Sequence, residues 1–358
     1  MVDFERFRVL CGKLNNPQIG LRCIHVAGTN GKGSTCAFIS SILREAGYER
    51  VGLYISPHLD KVTERITVDG IQISGTEYSA LEAIVDTAWN ELDFGTEPGY
   101  FARITAIAFL YFQKLNCSIA VLETGLGGRF DATNVIEPPE IAVITRIGLD
   151  HTAELGNTLP QIAAEKAGII KRGSKLIFAA QDSEVERVFT QKCDALDVPY
   201  YKILPLDKSA SRMSAAYQRE NAALASATAK LLGIDGGAIN RGLDRAYWPG
   251  RFERLRVDPT VILDGAHNPN GISALVASLR EAFPDRGITI VFNCRPDKDR
   301  ETMVKSLETI SDRIAYADSG ITKTLDTIMT TAKQDDVICV CGTLYQTTQV
   351  KNYFMEGK

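Results

Sequence analysis

At 358 residues the chain is too long for one ordinary hydrophobic core, so two domains are expected. Its 45% hydrophobic and 23% charged residues fit a soluble globular enzyme. A formal charge of −4 excludes a general nucleic-acid binder, and anionic substrates would have to be held by locally placed cations. Residues 1–8 are charged and lack the apolar stretch of a secretory signal. The longest apolar run, Ile104 to Phe112, is too short to span a bilayer. Cytoplasm is the expected compartment, without a membrane partner.

In chain order, apolar β-rich runs alternate with helical patterns, which predicts α/β layering with a mainly parallel sheet. Strands are predicted near 22–27, 50–55, 118–123, 141–146 and 175–180. Helices are predicted near 33–46, 77–92, 158–169, 183–196 and 214–232. The segment 101–115 has the continuous apolar character of a buried helix, and 56–76 reads as a small hairpin or ordered loop. Pro and Gly in Trp248-Pro-Gly-Arg-Phe252 break a helical pattern. Beyond them, strands are predicted at 260–264, 287–292, 313–317 and 337–341. The expected fold class is α/β: a P-loop-type nucleotide-binding domain over 1–250, then a smaller Rossmann-like α/β domain over 251–358. The eight cysteines form no C-x-x-C pair; Cys339 and Cys341 alternate with Ile338 and Val340 and read as packing residues.

The most informative stretch joins the first strand to the first of these helices: Gly28, Thr29, Asn30, Gly31, Lys32, Gly33, Ser34 and Thr35. Backbone N–H groups of such a turn point inward and the next helix adds its positive end, so the two cradle a polyphosphate. Lys32 would reach the outer phosphates and the Ser34 hydroxyl would be available to Mg²⁺. ATP is the expected nucleotide. The spelling departs from G-x-x-x-x-G-K-[ST], with Val26 at the first glycine position and Gly33 between Lys32 and Ser34, so a plain Gly-rich turn is the other reading. Glu123 ends a predicted strand, where a carboxylate facing such a loop suits Mg²⁺, an ion that requires hard oxygen donors. Gly125 and Gly127 begin a dinucleotide fingerprint, but Phe130 stands where its third glycine belongs. The four histidines, His25, His58, His151 and His267, all fall beside Gly, Asp, Ser or Asn clusters, with His25 also readable as the plain end of a strand.

In combination these motifs resemble the Mur ligase superfamily, and within it the folylpolyglutamate and dihydrofolate synthases. That resemblance implies an ATP-dependent ligase adding L-glutamate to a folate or pteroate acid through an acyl phosphate. It implies Mg²⁺ at two sites, or Mn²⁺ in its stead, held by Ser34, Ser56, Glu123, His151 and a carbamylated Lys166. It implies that Asn221, Arg251 and Asp264 hold ATP from the far side of an interdomain cleft, with His267 near the acceptor amino acid. Lys32, Glu123, His151, Lys166 and His267 would then be catalytic. Phe130, Asp131 and Ala132 are expected against the pterin-bearing substrate, and Gly99, Tyr100, Phe101 and Ala102 on the same substrate side. Tyr100-Phe-Ala-Arg103 stands where relatives usually carry Phe-Glu or a similar acidic pair, and Tyr217-Gln218 replaces the usual His-Gln, so a Mur-type ligase for a different carboxylate is the alternative. A regulatory GTPase lacks its N-K-x-D motif here. A monomer is expected, with small molecules as its partners.

Overall fold

The computed structural model describes residues 3–207, 211 and 213–355. They form two compact units, Met1–Leu206 with Glu220–Ala246, and Asp207–Arg219 with Tyr247–Lys358. The division is discontinuous, because residues 207–219 belong with the second unit.

The first unit holds β1 (Cys23–Ala27), β2 (Val51–Tyr54), β3 (Ile66–Val68), β4 (Ile71–Gln72), β5 (Ile119–Glu123), β6 (Ile141–Ile144), β7 (Lys175–Ala179) and β8 (Tyr200–Ile203). They build one sheet in the order β4-β3-β2-β5-β1-β6-β7-β8. From β2 to β8 every pairing is parallel, and β3 and β4 extend the β2 edge as an antiparallel hairpin. The central strands are buried along their whole length, as expected where helices cover both faces of a parallel sheet. Helix Tyr100–Lys114 supplies much of one face through Ile104, Ile107, Ala108, Phe109 and Phe112. The predicted stretch 56–76 is a 3₁₀ turn, Val62–Arg65, followed by the hairpin. Strand β8 was not foreseen: its Tyr200-Tyr-Lys202 is exposed at the sheet edge and carries no apolar run.

The second unit holds β9 (Glu253–Arg256), β10 (Thr260–Leu263), β11 (Ile288–Phe292), β12 (Arg313–Tyr316) and β13 (Val337–Cys341) in the order β12-β11-β13-β10-β9. Only β9 runs antiparallel to its neighbour. Cys339 and Cys341 are buried within β13, and all eight cysteines are unpaired thiols. No helix of the described residues is long and apolar enough to cross a membrane.

Candidate functional site

In an open parallel sheet, loops leaving the carboxyl ends of adjacent strands converge. Here β2, β5, β1 and β6 are such neighbours, and they carry Ser56, Glu123, the Gly28–Thr35 loop and Arg146 at that end. The loop is tied to β6 because Thr29 N and Asn30 N donate to Arg146 O at 2.9 and 3.2 Å. Two glycines make this turn possible. Gly28 has φ of 147° and a Cβ there would lie 1.8 Å from Thr145 Oγ1; Gly31 has φ of 89° and its Cβ would lie 2.2 Å from Asn221 Oδ1. Gly31 also starts helix Lys32–Glu45 without a side-chain cap, and the first turn carries no acid. That end of the helix therefore suits an external anion.

Two lysine side chains meet at one oxygen. Lys32 Nζ donates to Gly28 O at 3.1 Å and to Thr29 O at 3.3 Å, while Lys166 Nζ donates to the same Gly28 O at 2.8 Å. Lys166 is buried, and desolvation, then the Lys32 charge, pulls its pKa down to about 7. Asp150 and Asp131 oppose that shift, and Asp150 is a neighbour that motif reading did not single out.

Glu123 is 3% exposed at the end of β5, opposite Val26 of β1, and its Oε2 accepts from Ser56 N at 3.1 Å. Glu123 and Ser56 are thus brought together. His151 has φ of 50° at the start of the short helix Thr152–Leu155, half-exposed, with Nε2 4.0 Å from Asp150 Oδ1. Among the described residues no three His, Cys, Asp or Glu side chains cluster as a ready-made metal cage. Mg²⁺ does not require one, because it binds through one or two carboxylates plus phosphates and keeps several waters. The buried Glu123 carboxylate, with Ser56 held next to it through its backbone N–H, fits that donor pattern.

Under the loop lies a chain of buried polar groups. Thr133 Oγ1 donates to Asp131 Oδ1 at 2.5 Å, which leaves it to accept from His25 Nε2 at 2.7 Å. Burial holds His25 neutral, with its pKa down at about 3. Asp131 Oδ2 accepts from Gly125 N and Leu126 N, both at 2.9 Å, so this carboxylate shapes the turn after β5. Of the trio expected against the acid, Asp131 and Ala132 are buried and Phe130 is exposed, edge-on to Phe4 at 6.2 Å. Gly99 precedes helix Tyr100–Lys114; Tyr100 is exposed, Ala102 is buried, and Phe101 packs on Gly125 and lies 5.9 Å from Tyr54.

Asn221 lies in the first unit, not opposite it, and its Oδ1 accepts from Thr35 Oγ1 at 3.4 Å. The sequence had suggested a partner across a cleft; the fold puts this amide on the phosphate loop's own side. In the second unit, Asp264 follows β10 and is buried. Its Oδ2 accepts from Tyr217 Oη at 2.5 Å and Phe252 N at 2.8 Å, and its Oδ1 from Ala266 N at 2.8 Å. Burial raises the Asp264 pKa, and the nearby Arg251 guanidinium pulls against that. His267 Nδ1 donates to Gly265 O at 2.8 Å, which fixes the tautomer with Nε2 as the acceptor. Tyr217 is the partner that the motif comparison marked as a departure without revealing its use.

A glycine loop at a helix start, a buried carboxylate at the end of the neighbouring strand and a second α/β unit fit an ATP-dependent ligase. Residues 26–228 match the family described as Mur ligase middle domain, and residues 250–319 match Mur ligase, glutamate ligase domain. The dihydrofolate synthase/folylpolyglutamate synthase of Bacillus subtilis is 39% identical over 346 residues, spanning 87% of this chain and 80% of that protein. A solved FPGS-AMPPCP-folate complex superposes with a TM-score of 0.88 at 29% identity, covering 99% of this chain and 95% of that one. The Mycobacterium tuberculosis folylpolyglutamate synthase complexed with ADP gives a TM-score of 0.90 at 27% identity, with coverage of 100% and 96%. The chain belongs to the folylpolyglutamate synthase and dihydrofolate synthase family of Mur ligases.

Proposed function

We propose that this chain adds L-glutamate to a folate-type carboxylate, with ATP converted to ADP and phosphate. The observation that carries this reading is the convergence of Lys32 and Lys166 on Gly28 O, one strand away from the buried Glu123. Backbone N–H groups of the loop and Lys32 would hold the β,γ-phosphates. Asn221, Arg251 and Asp264 would complete the nucleotide contacts. The acid's carboxylate oxygen attacks the γ-phosphorus in line as the bond to the β-phosphate oxygen breaks, and catalysis is mainly positioning and charge stabilisation. The amino nitrogen of glutamate, near His267, then attacks the acyl carbon. The C–N bond forms, a proton leaves the nitrogen, and phosphate departs.

Glu123, Ser56 and the Ser34 hydroxyl would hold one Mg²⁺, and His151 with a carbamylated Lys166 a second. Such an ion supplies charge neutralisation at the transferring phosphoryl group. A lysine with a pKa near 7 has a neutral amine fraction ready to take up CO₂, which supports the carbamate. Tyr100, Phe101 and Phe130 would meet the acid, with Asp131 and Ala132 shaping the wall behind them. The reading includes a monomer in the cytoplasm, with Mn²⁺ able to replace Mg²⁺.

Phosphate release with ATP, L-glutamate and either tetrahydrofolate or dihydropteroate tests this, with product mass as the second readout. The expected result is a gain of one glutamyl unit. Turnover with an unrelated acid alone would replace the folate reading by a ligase for a different carboxylate.

A further inference from the structure

Arg146 lies just beyond the carboxyl end of β6 and makes two separate attachments. Its main-chain oxygen accepts from Thr29 N and Asn30 N, which holds the Gly28–Thr35 loop against the strand end. Its guanidinium turns instead to Glu220, in the first turn of helix Gln218–Leu231. Nε donates to Oε1 at 3.2 Å and Nη2 donates to Oε2, a two-pronged contact. The Glu220 side chain is only 12% exposed, so this pair is more than a solvated surface contact. The next residue of the helix, Asn221, returns to the loop: its Oδ1 accepts from Thr35 Oγ1 and lies where a Cβ on Gly31 would strike it. Loop, Arg146, Glu220 and Asn221 thus close a ring, in which the ion pair joins strand end to helix.

The pair is neutral as a unit, so it adds little net attraction for a polyanion. What it contributes is position, and small displacements of contact groups weaken binding and catalysis. Resting on the ligase reading above, we propose that Arg146 and Glu220 are positioning residues of the nucleotide site. They fix helix Gln218–Leu231 beside the phosphate loop, so that the loop N–H groups and the Asn221 amide meet ATP in one arrangement.

The sign of one substitution separates position from bare charge. Removing an acid near a triphosphate should tighten binding if charge alone governs. Glu220→Gln should instead weaken binding of a nonhydrolysable ATP analogue, titrated calorimetrically with Mg²⁺, by about tenfold. Arg146→Gln should lose a similar factor, and the double variant should lose no more than about the larger single loss, because both changes break one link. Arg146→Lys keeps the charge without the fork and should recover part of the affinity. The Arg146 carbonyl persists in every variant, so the loop keeps its main-chain contacts. In turnover, KM for ATP should rise by a larger factor than kcat falls. A thermal melt checks folding, and the double variant, which strands no lone charge, carries the test if a single variant fails to fold. Unchanged or tighter analogue binding in Glu220→Gln or in the double variant, or single losses that multiply, would overturn the positioning role. A native protein that does not bind the analogue would instead sink the ligase reading itself.

Discussion

At the carboxyl end of β1 two lysines crowd one carbonyl oxygen, whereas at the carboxyl end of β10 three donors surround one carboxylate. In the first arrangement burial and the Lys32 charge pull the Lys166 pKa down to about 7, and Asp150 and Asp131 act against that shift. The second is closed on itself: the hydroxyl of Tyr217 and two backbone N–H groups satisfy Asp264. A glycine loop at an uncapped helix start suits a polyanionic ligand, and a satisfied carboxylate suits a fixed contact. Disturbing the first region should chiefly cost activity, and disturbing the second should cost stability as well as activity.

The largest effect should come from Lys32→Ala. Removing one preorganised charge-stabilising donor lowers turnover by roughly 10²–10³, and little stability should be lost because Lys32 only covers its own loop. Steady-state phosphate release alongside a thermal melt checks both halves. Normal turnover in this variant would remove the phosphate-loop role.

Acid sensitivity separates the regions next. Folded His25 has its pKa lowered to about 3 by burial, against an ordinary value of 6.5. Between those values the unfolded chain binds the proton and the folded one does not. The His25 contribution is therefore fully present above about pH 6.5 and lost as pH falls toward 3, by up to about 1.4 kcal/mol per unit. His25→Gln should flatten that limb when urea midpoints are compared at pH 7, 6 and 5. An unchanged slope would mean that His25 is not held neutral beneath the loop.

Tyr217→Phe sharpens the comparison from the other side. It deletes one hydrogen bond to a buried carboxylate, worth roughly 1.5–3 kcal/mol. The loss should appear as a lower urea midpoint for the variant, and an unchanged midpoint would mean that the Tyr217 hydroxyl does not hold Asp264.

Much of this was legible in the sequence because parallel strands buried on both faces read as unbroken apolar runs: Cys23–Ala27, Ile119–Glu123 and Val337–Cys341 are all of that kind. The strand-end motifs were legible for the same reason, since a glycine turn or a carboxylate directly after such a run is conspicuous. Strand Tyr200–Ile203 escaped because an exposed edge needs no apolar pattern. Helix Gly236–Arg245 escaped because it opens on two glycines. Asn221 was read across a cleft because linear order does not reveal which side of the loop its helix passes. Arg65, inside Thr63-Glu-Arg-Ile66, looks like an ordinary solvated charge. Its burial arises only when the 3₁₀ turn docks beside Ile55.

The smallest stability effect should fall on Phe130, and it divides the loop after β5 into scaffold and contact surface. Phe130 is 49% exposed and touches Phe4 edge-on, so Phe130→Ala should cost less than about 1 kcal/mol. Its neighbour Asp131 accepts from Gly125 N, Leu126 N, Thr133 N and Thr133 Oγ1, so Asp131→Ala would leave several buried donors unpaired. The two variants should therefore part: Phe130→Ala raises KM for the acid while the melt is nearly unchanged, and Asp131→Ala lowers the melting temperature as well as activity. If Phe130→Ala left KM for the acid unchanged, the exposed ring would be surface and not substrate wall, and the acid would have to be held mainly from the Tyr100 side.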